Sequence, residues 1–150
     1  MPTGSLQRLP MSYDEWLRLP NKPKAEWVDG VAVVSPHAPF AHQDVVVRVA
    51  FLLRSELPAL ATAPEVPIGL PANRIRIPDV AAFPTRPTGF PATVQPVLVV
   101  EVLSPSTRRE DLLAKAPEYA AAGIQQYWVV DPEARNLTVY RAASDDERGD

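Results

Sequence analysis

Three features of this sequence predict a mixed α/β fold: a central β-sheet flanked by helices, with an N-terminal hairpin. The first is the stretch 94–131, which reads strand, helix, strand. Its opening run, Val97-Leu98-Val99-Val100, is short and β-branched, the pattern of a strand covered on both faces. A helical segment over 108–122 follows, Gly123 closes it, and 125–131 reads as a second buried strand. A unit of this length is a βαβ-like crossover in a sheet with helical cover. The second feature is Asp29-Gly30 between two apolar runs, the strongest short-range hairpin signal. The third is an amphipathic helix over 41–57, where Val45, Val49, Leu52 and Leu53 keep one apolar stripe until Pro58 stops it.

The remaining elements follow in order. Residues 1–10 read as loose. Ser12-Tyr13-Asp14-Glu15 is a capping box that starts a short helix ended by Leu19-Pro20. Residues 21–24 form a turn, 25–35 the hairpin, and 35–40 a proline-bearing loop. Residues 61–70 are strand-like but carry Pro64 and Pro67, which assigns them to an edge. Arg74-Ile75-Arg76-Ile77 alternates polar and apolar as a half-buried strand does, then runs through Pro78-Asp79 into Val80-Ala81-Ala82-Phe83. Residues 84–96 are loop, 132–136 a turn, and 137–141 a last strand.

Composition excludes several classes. A chain of 150 residues suggests one domain with a real core. Without cysteine there is no disulfide framework and no cysteine-based zinc site, which fits a cytoplasmic protein. No apolar run is long enough to span a membrane, and residues 1–10 lack the apolar region of a signal peptide. The net charge of −3 argues against a strong non-specific nucleic-acid binder but leaves room for a local basic groove. A homo-oligomer is left open. The 18 prolines mark many turns and edges.

Two carboxylates carry the chemistry. Asp79 follows Pro78 at the end of one alternating run, and Glu101 ends the Val97–Val100 run. A buried, uncompensated carboxylate costs several kcal/mol, so Glu101 belongs at a site or beside a cation. The spacing allows a hairpin-like link that sets both on neighbouring strands. Two such carboxylates repel unless one is protonated or a cation binds. Oxygen ligands select a hard ion, Mg²⁺ or Mn²⁺, which can activate a bound water and neutralise a phosphoryl group. A single carboxylate in a strand is more often salt-bridged than catalytic; the pair with a nearby lysine shifts the balance.

Further residues admit two readings each. Glu26 is a third acid at the site or a strand-edge charge. His42, in the first turn of the long helix, is a proton carrier or a local cap. Asp111, Lys115 and Tyr119 recur every four residues and share one helix face, either as a site-facing row or a solvated ion pair. Pro117 inside this segment should kink or split it near Leu113. Trp128 reads as core. Arg74, Arg76, Arg108 and Arg109 are phosphate contacts or ordinary surface.

Several of these residues resemble a family. Pro78-Asp79, then Glu101-Val102-Leu103-Ser104-Pro105-Ser106-Thr107, then Asp111, Lys115, Tyr119, Gly123 and Tyr127-Trp128-Val129-Val130-Asp131 are similar to the pattern of Uma2-type endonucleases, formerly DUF820, in the PD-(D/E)XK nuclease superfamily. Glu26–Gly30 and His42 extend the resemblance over roughly residues 12–140. It implies a restriction-endonuclease-like core, with Asp79 and Glu101 as metal ligands and the Val102 carbonyl as a further one. The superfamily places a lysine two residues after the glutamate, where this chain has Leu103. Lys115 on the following helix is the natural substitute. The family also continues with further strand where this chain becomes a charged tail. The organisation implied is a flexible N-terminus at 1–11, one nuclease-like domain at 12–141 and a disordered tail at 142–150. Three functional readings stand: a metal-dependent endonuclease on DNA, an inactive binding module of the same fold, or a metal-dependent hydrolase of another phosphorylated substrate.

Overall fold

The computed structural model describes residues 5–142. Within them ten strands form two five-stranded sheets rather than one central sheet. The first sheet contains β1 (Gln7–Pro10), β3 (Val31–Val34), β2 (Ala25–Val28), β6 (Arg74–Arg76) and β5 (Ile68–Leu70), in that spatial order and antiparallel throughout. The second contains β10 (Asn136–Arg141), β9 (Gln126–Asp131), β8 (Leu98–Val102), β7 (Val80–Phe83) and β4 (Ala61–Pro64). It is mixed, because β8 and β9 run parallel as the crossover demands and the other pairs are antiparallel.

The chain passes between the sheets at two points that the sequence suggested were continuous strand. Residues 61–70 divide into β4 at the edge of one sheet and β5 at the edge of the other, with Glu65 at a positive φ of 52° and Pro67 between them. Residues 74–83 divide into β6 and β7, so only the second half neighbours β8. Pro78 has no N–H to donate to a ladder, and the strand breaks around it. Asp79 therefore stands at the junction of the sheets.

Other corrections are local. The N-terminus expected to be loose forms β1 over Gln7–Pro10, pairing with β3. The charged tail lies outside the described residues from 143 onward. The hairpin forms as expected, with Asp29 and Gly30 at φ 48° and 84°, the pair of positive angles that a two-residue turn of this hand requires. Helix α1 (Tyr13–Leu17) has both halves of its capping box, and buried Trp16 donates its indole N–H to the Ala25 carbonyl at 2.8 Å.

Both faces of the second sheet are covered. Helix α2 (Phe40–Glu56) packs Val46 and Leu53 against Val80, Ala82, Val100 and Val102. Leu52, assigned to its apolar stripe, instead faces outward. On the opposite face Ala81, Phe83 and Val99 meet β5, Tyr119 and Tyr127. Alternation along β8 then puts Glu101 on the face of Val99, beneath the crossover helix.

That crossover segment is helical from Arg108, widens into a π-helical turn at Glu110–Ala114, and continues as α3 (Lys115–Ala121). The Lys115 N–H donates to the Glu110 carbonyl, five residues back. This accounts for Pro117. Proline clashes with the carbonyl four residues before it, here Leu113, and the widened turn holds that residue outside a regular α ladder. Gly123, at φ 77°, ends the helix as expected. Among the described residues no helix is long and apolar enough to cross a membrane.

Candidate active site

The ends of β7 and β8, the start of α2, the residue before β2 and the crossover helix converge on one cavity of about 100 Å³. Its lining includes Lys24, His42, Asp79, Glu101, Ser104 and Lys115. Asp79 and Glu101 are 7% and 2% exposed, so both carboxylates lie within the protein and not on its surface.

Asp79 is held from two sides. Its Oδ2 accepts the Val102 N–H at 2.7 Å and lies 3.3 Å from His42 Nε2. Its Oδ1 lies 3.4 Å from Lys24 Nζ. Burial alone would raise its pKa, but Lys24, His42 and the Val102 amide outweigh burial and hold the carboxyl far below its ordinary range. His42 Nε2 also donates to the Val102 carbonyl at 2.9 Å, so the Val102 peptide is gripped at both its N–H and its C=O. Burial lowers the pKa of the imidazole; its bonds to Asp79, Gln43 and Val102 overcome that and raise it.

Glu101 faces Lys115. The ammonium donates to Glu101 Oε2 at 2.8 Å and lies 2.8 Å from Asp111 Oδ1 and 3.5 Å from Glu26 Oε1. The Tyr119 hydroxyl is 3.4 Å from Glu101 Oε1. The row Asp111, Lys115 and Tyr119 thus faces the site, with all three buried. Burial works against the Lys115 charge, and Glu101, Glu26 and Asp111 together more than restore it, so its pKa is raised. Glu101 is also raised well above the carboxylate range, by burial and then by its negative neighbours Asp111 and Asp79.

Glu26 reaches this cluster through Lys115, and its other oxygen accepts the Ile77 N–H at 2.7 Å. It also meets Arg76 at 3.4 Å. Burial pushes the Glu26 carboxyl up, but Lys115, Arg76 and Lys24 leave it below its ordinary value.

The four arginines separate. Arg76 is only 1% exposed and is enclosed by Glu26, Glu110 and Glu118, so its place as a phosphate contact is corrected: its guanidinium is occupied within the fold. Arg74 lies beside the same group, 3.1 Å from Glu118. Arg108 is exposed and pairs with Asp131 at 2.9 Å, on the wall of a second, more open groove of about 820 Å³. That groove shares His42 and Ser104 with the first cavity and runs past Pro105 and Pro132. Arg109 is exposed on the helix beside Arg108.

Lys24 is the site residue that sequence reasoning passed over as part of a turn. A signal existed: Lys24 and Glu26 are two apart at the entry to a strand, and such residues point to one face.

A hard divalent ion suits this residue set. Among the described residues no three His, Cys, Asp or Glu side chains gather closely enough to hold a metal alone. Mg²⁺ needs fewer, since it keeps several waters and takes one or two carboxylates. An orphaned oxygen supports the fit. Four buried carboxylates, Glu26, Asp79, Glu101 and Asp111, surround two ammonium groups, with His42 and Arg76 at the margins. Asp111 Oδ2 is buried with no hydrogen-bond partner. The Val102 carbonyl retains a second lone pair beyond its bond to His42.

Comparison with known proteins agrees with this architecture. The Uma2 family model, described as "Putative restriction endonuclease", matches residues 12–148. Among solved structures, the chain is similar to "a putative nuclease belonging to DUF820 from Anabaena variabilis ATCC 29413", with a TM-score of 0.75 and 21% identity over 91% of this chain and 82% of that one. At that identity the likeness speaks for the fold. The comparison with curated proteins finds no match.

Proposed function

From the premise that the chain belongs to the Uma2 family, we propose that it is a Mg²⁺- or Mn²⁺-dependent endonuclease that hydrolyses phosphodiester bonds of DNA. One observation carries the reading. Asp79, Glu101 and Lys115, far apart in sequence, meet at one cavity with both carboxylates buried.

Asp79 and Glu101 would hold the ion, with the Val102 carbonyl beside them. When bound, such an ion neutralises charge on a phosphoryl oxygen and acidifies a water. The protein's own groups do the rest. The Val102 peptide and His42 fix Asp79 in orientation. Asp111 and Glu26 hold the Lys115 ammonium against Glu101, where a fixed positive charge stabilises the developing phosphorane charge without reorganising. Lys115 thereby supplies the cation absent at Leu103. Arg108, on the wall of the open groove, and Arg109 beside it on the helix would contact a phosphate backbone.

The test is a pair of measurements. Mn²⁺ and Mg²⁺ should raise the unfolding temperature of the wild type and not of Asp79→Ala or Glu101→Ala, because a ligand that binds only the folded state stabilises it by mass action. The same ions should support nicking of supercoiled plasmid by the wild type alone. Stabilisation without nicking of any DNA would favour a hydrolase of another phosphorylated substrate. Absence of both would return the chain to a binding module.

A further inference from the structure

We infer that Lys24 is the resident counter-cation of Asp79 and gives way to the divalent ion when the site loads. The inference rests on the metal reading above and concerns how the site is held in the ion's absence.

The two oxygens of Asp79 are unequal. Oδ2 is already engaged by the Val102 N–H at 2.7 Å and by His42 at 3.3 Å. Oδ1 is left for a cation, and Lys24 Nζ stands 3.4 Å from it. A lysine ammonium and a divalent ion cannot share that oxygen, since like charges a few ångströms apart in a buried site repel strongly.

The two lysines of the cavity differ in how firmly they are held. Lys115 is 3% exposed and lies within 3.5 Å of three carboxylates. Lys24 has one carboxylate within ion-pair distance, and its side chain is 16% exposed. Its main chain is anchored, since its carbonyl accepts the Ser35 N–H at 2.8 Å. Only the four-carbon stem needs to move, and that stem is flexible. Lys24 is therefore the exchangeable charge and Lys115 the fixed one. Lys24 is a positioning residue: it holds Asp79 in place for the incoming ion.

This makes a prediction with an unusual sign. A lysine that merely supports the fold leaves metal affinity unchanged or lower when it is removed. A lysine that competes with the metal raises it. Isothermal titration of Mn²⁺ into EDTA-stripped full-length protein should show Lys24→Met binding at least about tenfold tighter than wild type, from loss of one adjacent like charge. Lys24→Arg should stay within about threefold of wild type, because it keeps the charge. Lys24→Gln, polar and nearly as long, repeats the test independently of how the Met variant folds. Without metal, both neutral variants should unfold at lower temperature than wild type.

Asp79-dependent Mn²⁺ binding in the wild type with equal or weaker binding in both neutral variants would overturn the assignment and leave the proposed function standing. No Asp79-dependent binding in the wild type or in either neutral variant would overturn both. Binding that appears only once Lys24 is neutral would support the exchange in its strongest form.

Discussion

Replacing Arg76 with Met tests the electrostatic reading of the interior. The guanidinium is almost wholly buried and touches Glu118 at 2.7 Å, Glu110 at 3.2 Å and Glu26 at 3.4 Å. Burial works against its charge, and Glu26 and Glu118 outweigh burial and raise its pKa. Methionine fills much of the volume and removes the charge. Each carboxylate keeps one other partner: Lys115 for Glu26, Arg74 for Glu118 and Arg8 for Glu110. The cost is therefore that of one broken buried pair, about 3–5 kcal/mol, and not three. At roughly 2–4 °C per kcal/mol for a chain of this size, the unfolding temperature should fall by about 6–20 °C. Urea denaturation in EDTA at pH 8 measures the loss directly. The deficit should narrow toward pH 5, where the carboxylates left behind can take up protons. Adding Glu118→Gln should recover part of it, since contacting residues are not additive. A loss below about 1 kcal/mol, or a double variant no more stable than the single one, would refute the view that Arg76 acts as the internal counter-charge of this cluster.

Other outcomes follow from the same geometry. Lys115→Ala should lower plasmid nicking at least about a hundredfold, the effect of losing one charge-stabilising donor. It should also destabilise the protein, because Lys115 is buried among three carboxylates, so rates are compared well below its unfolding temperature; wild-type nicking by the folded variant would remove it from the mechanism. Asp79 has a depressed folded pKa, so it contributes stability above the unfolded value near 3.8 and loses it as pH falls below that. Asp79→Asn should accordingly flatten part of the acid-side fall of unfolding temperature between about pH 5 and 2 in EDTA, and an unchanged slope would contradict the assignment. Arg108→Ala should weaken DNA binding and reduce the slope of log affinity against log salt by about 1; an unchanged slope would place the DNA elsewhere. Ser12→Ala should cost about 1 kcal/mol in urea unfolding, through loss of the cap on α1.

Local chemistry was readable from the residues; the partition of strands was not. The capping box at Ser12, the Asp29-Gly30 turn and the parallel crossover follow from signals a few residues long. Glu101 was legible because a charge inside Val97–Leu103 is costly without a partner, and its partner Lys115 was legible from helix periodicity. What sequence could not convey was that 61–70 and 74–83 each serve two sheets. Propensity scores a strand without saying which sheet receives it, and the decisive contacts are made by residues remote in the chain. Arg76 shows the same gap. Its alternation with Ile75 and Ile77 marked it as solvent-facing, whereas the crossover helix closes over that face with Glu110 and Glu118. For Lys24 the two-residue spacing from Glu26 is a weak signal, and its partner Asp79 is brought to it only by the junction between sheets.

The π-helical turn at Glu110–Ala114 bears on how this chain tolerates changes of length. Such a turn accommodates one residue more than a regular helix spanning the same distance. Removing any one of those five residues would let the segment relax to α-helical hydrogen bonding without breaking it. Because the widened turn takes up its extra residue within about one turn, the helix on either side of the cut would keep nearly its present facing. Lys115 and Glu118, beyond the turn, would still face Glu101 and Arg76, provided the residue removed is not Asp111. Surface loops of most proteins absorb single-residue insertions and deletions readily. Here a helix does so at one turn, whereas a deletion within α3 would turn everything beyond it by about 100°, so the crossover tolerates a change of length only where it is widened.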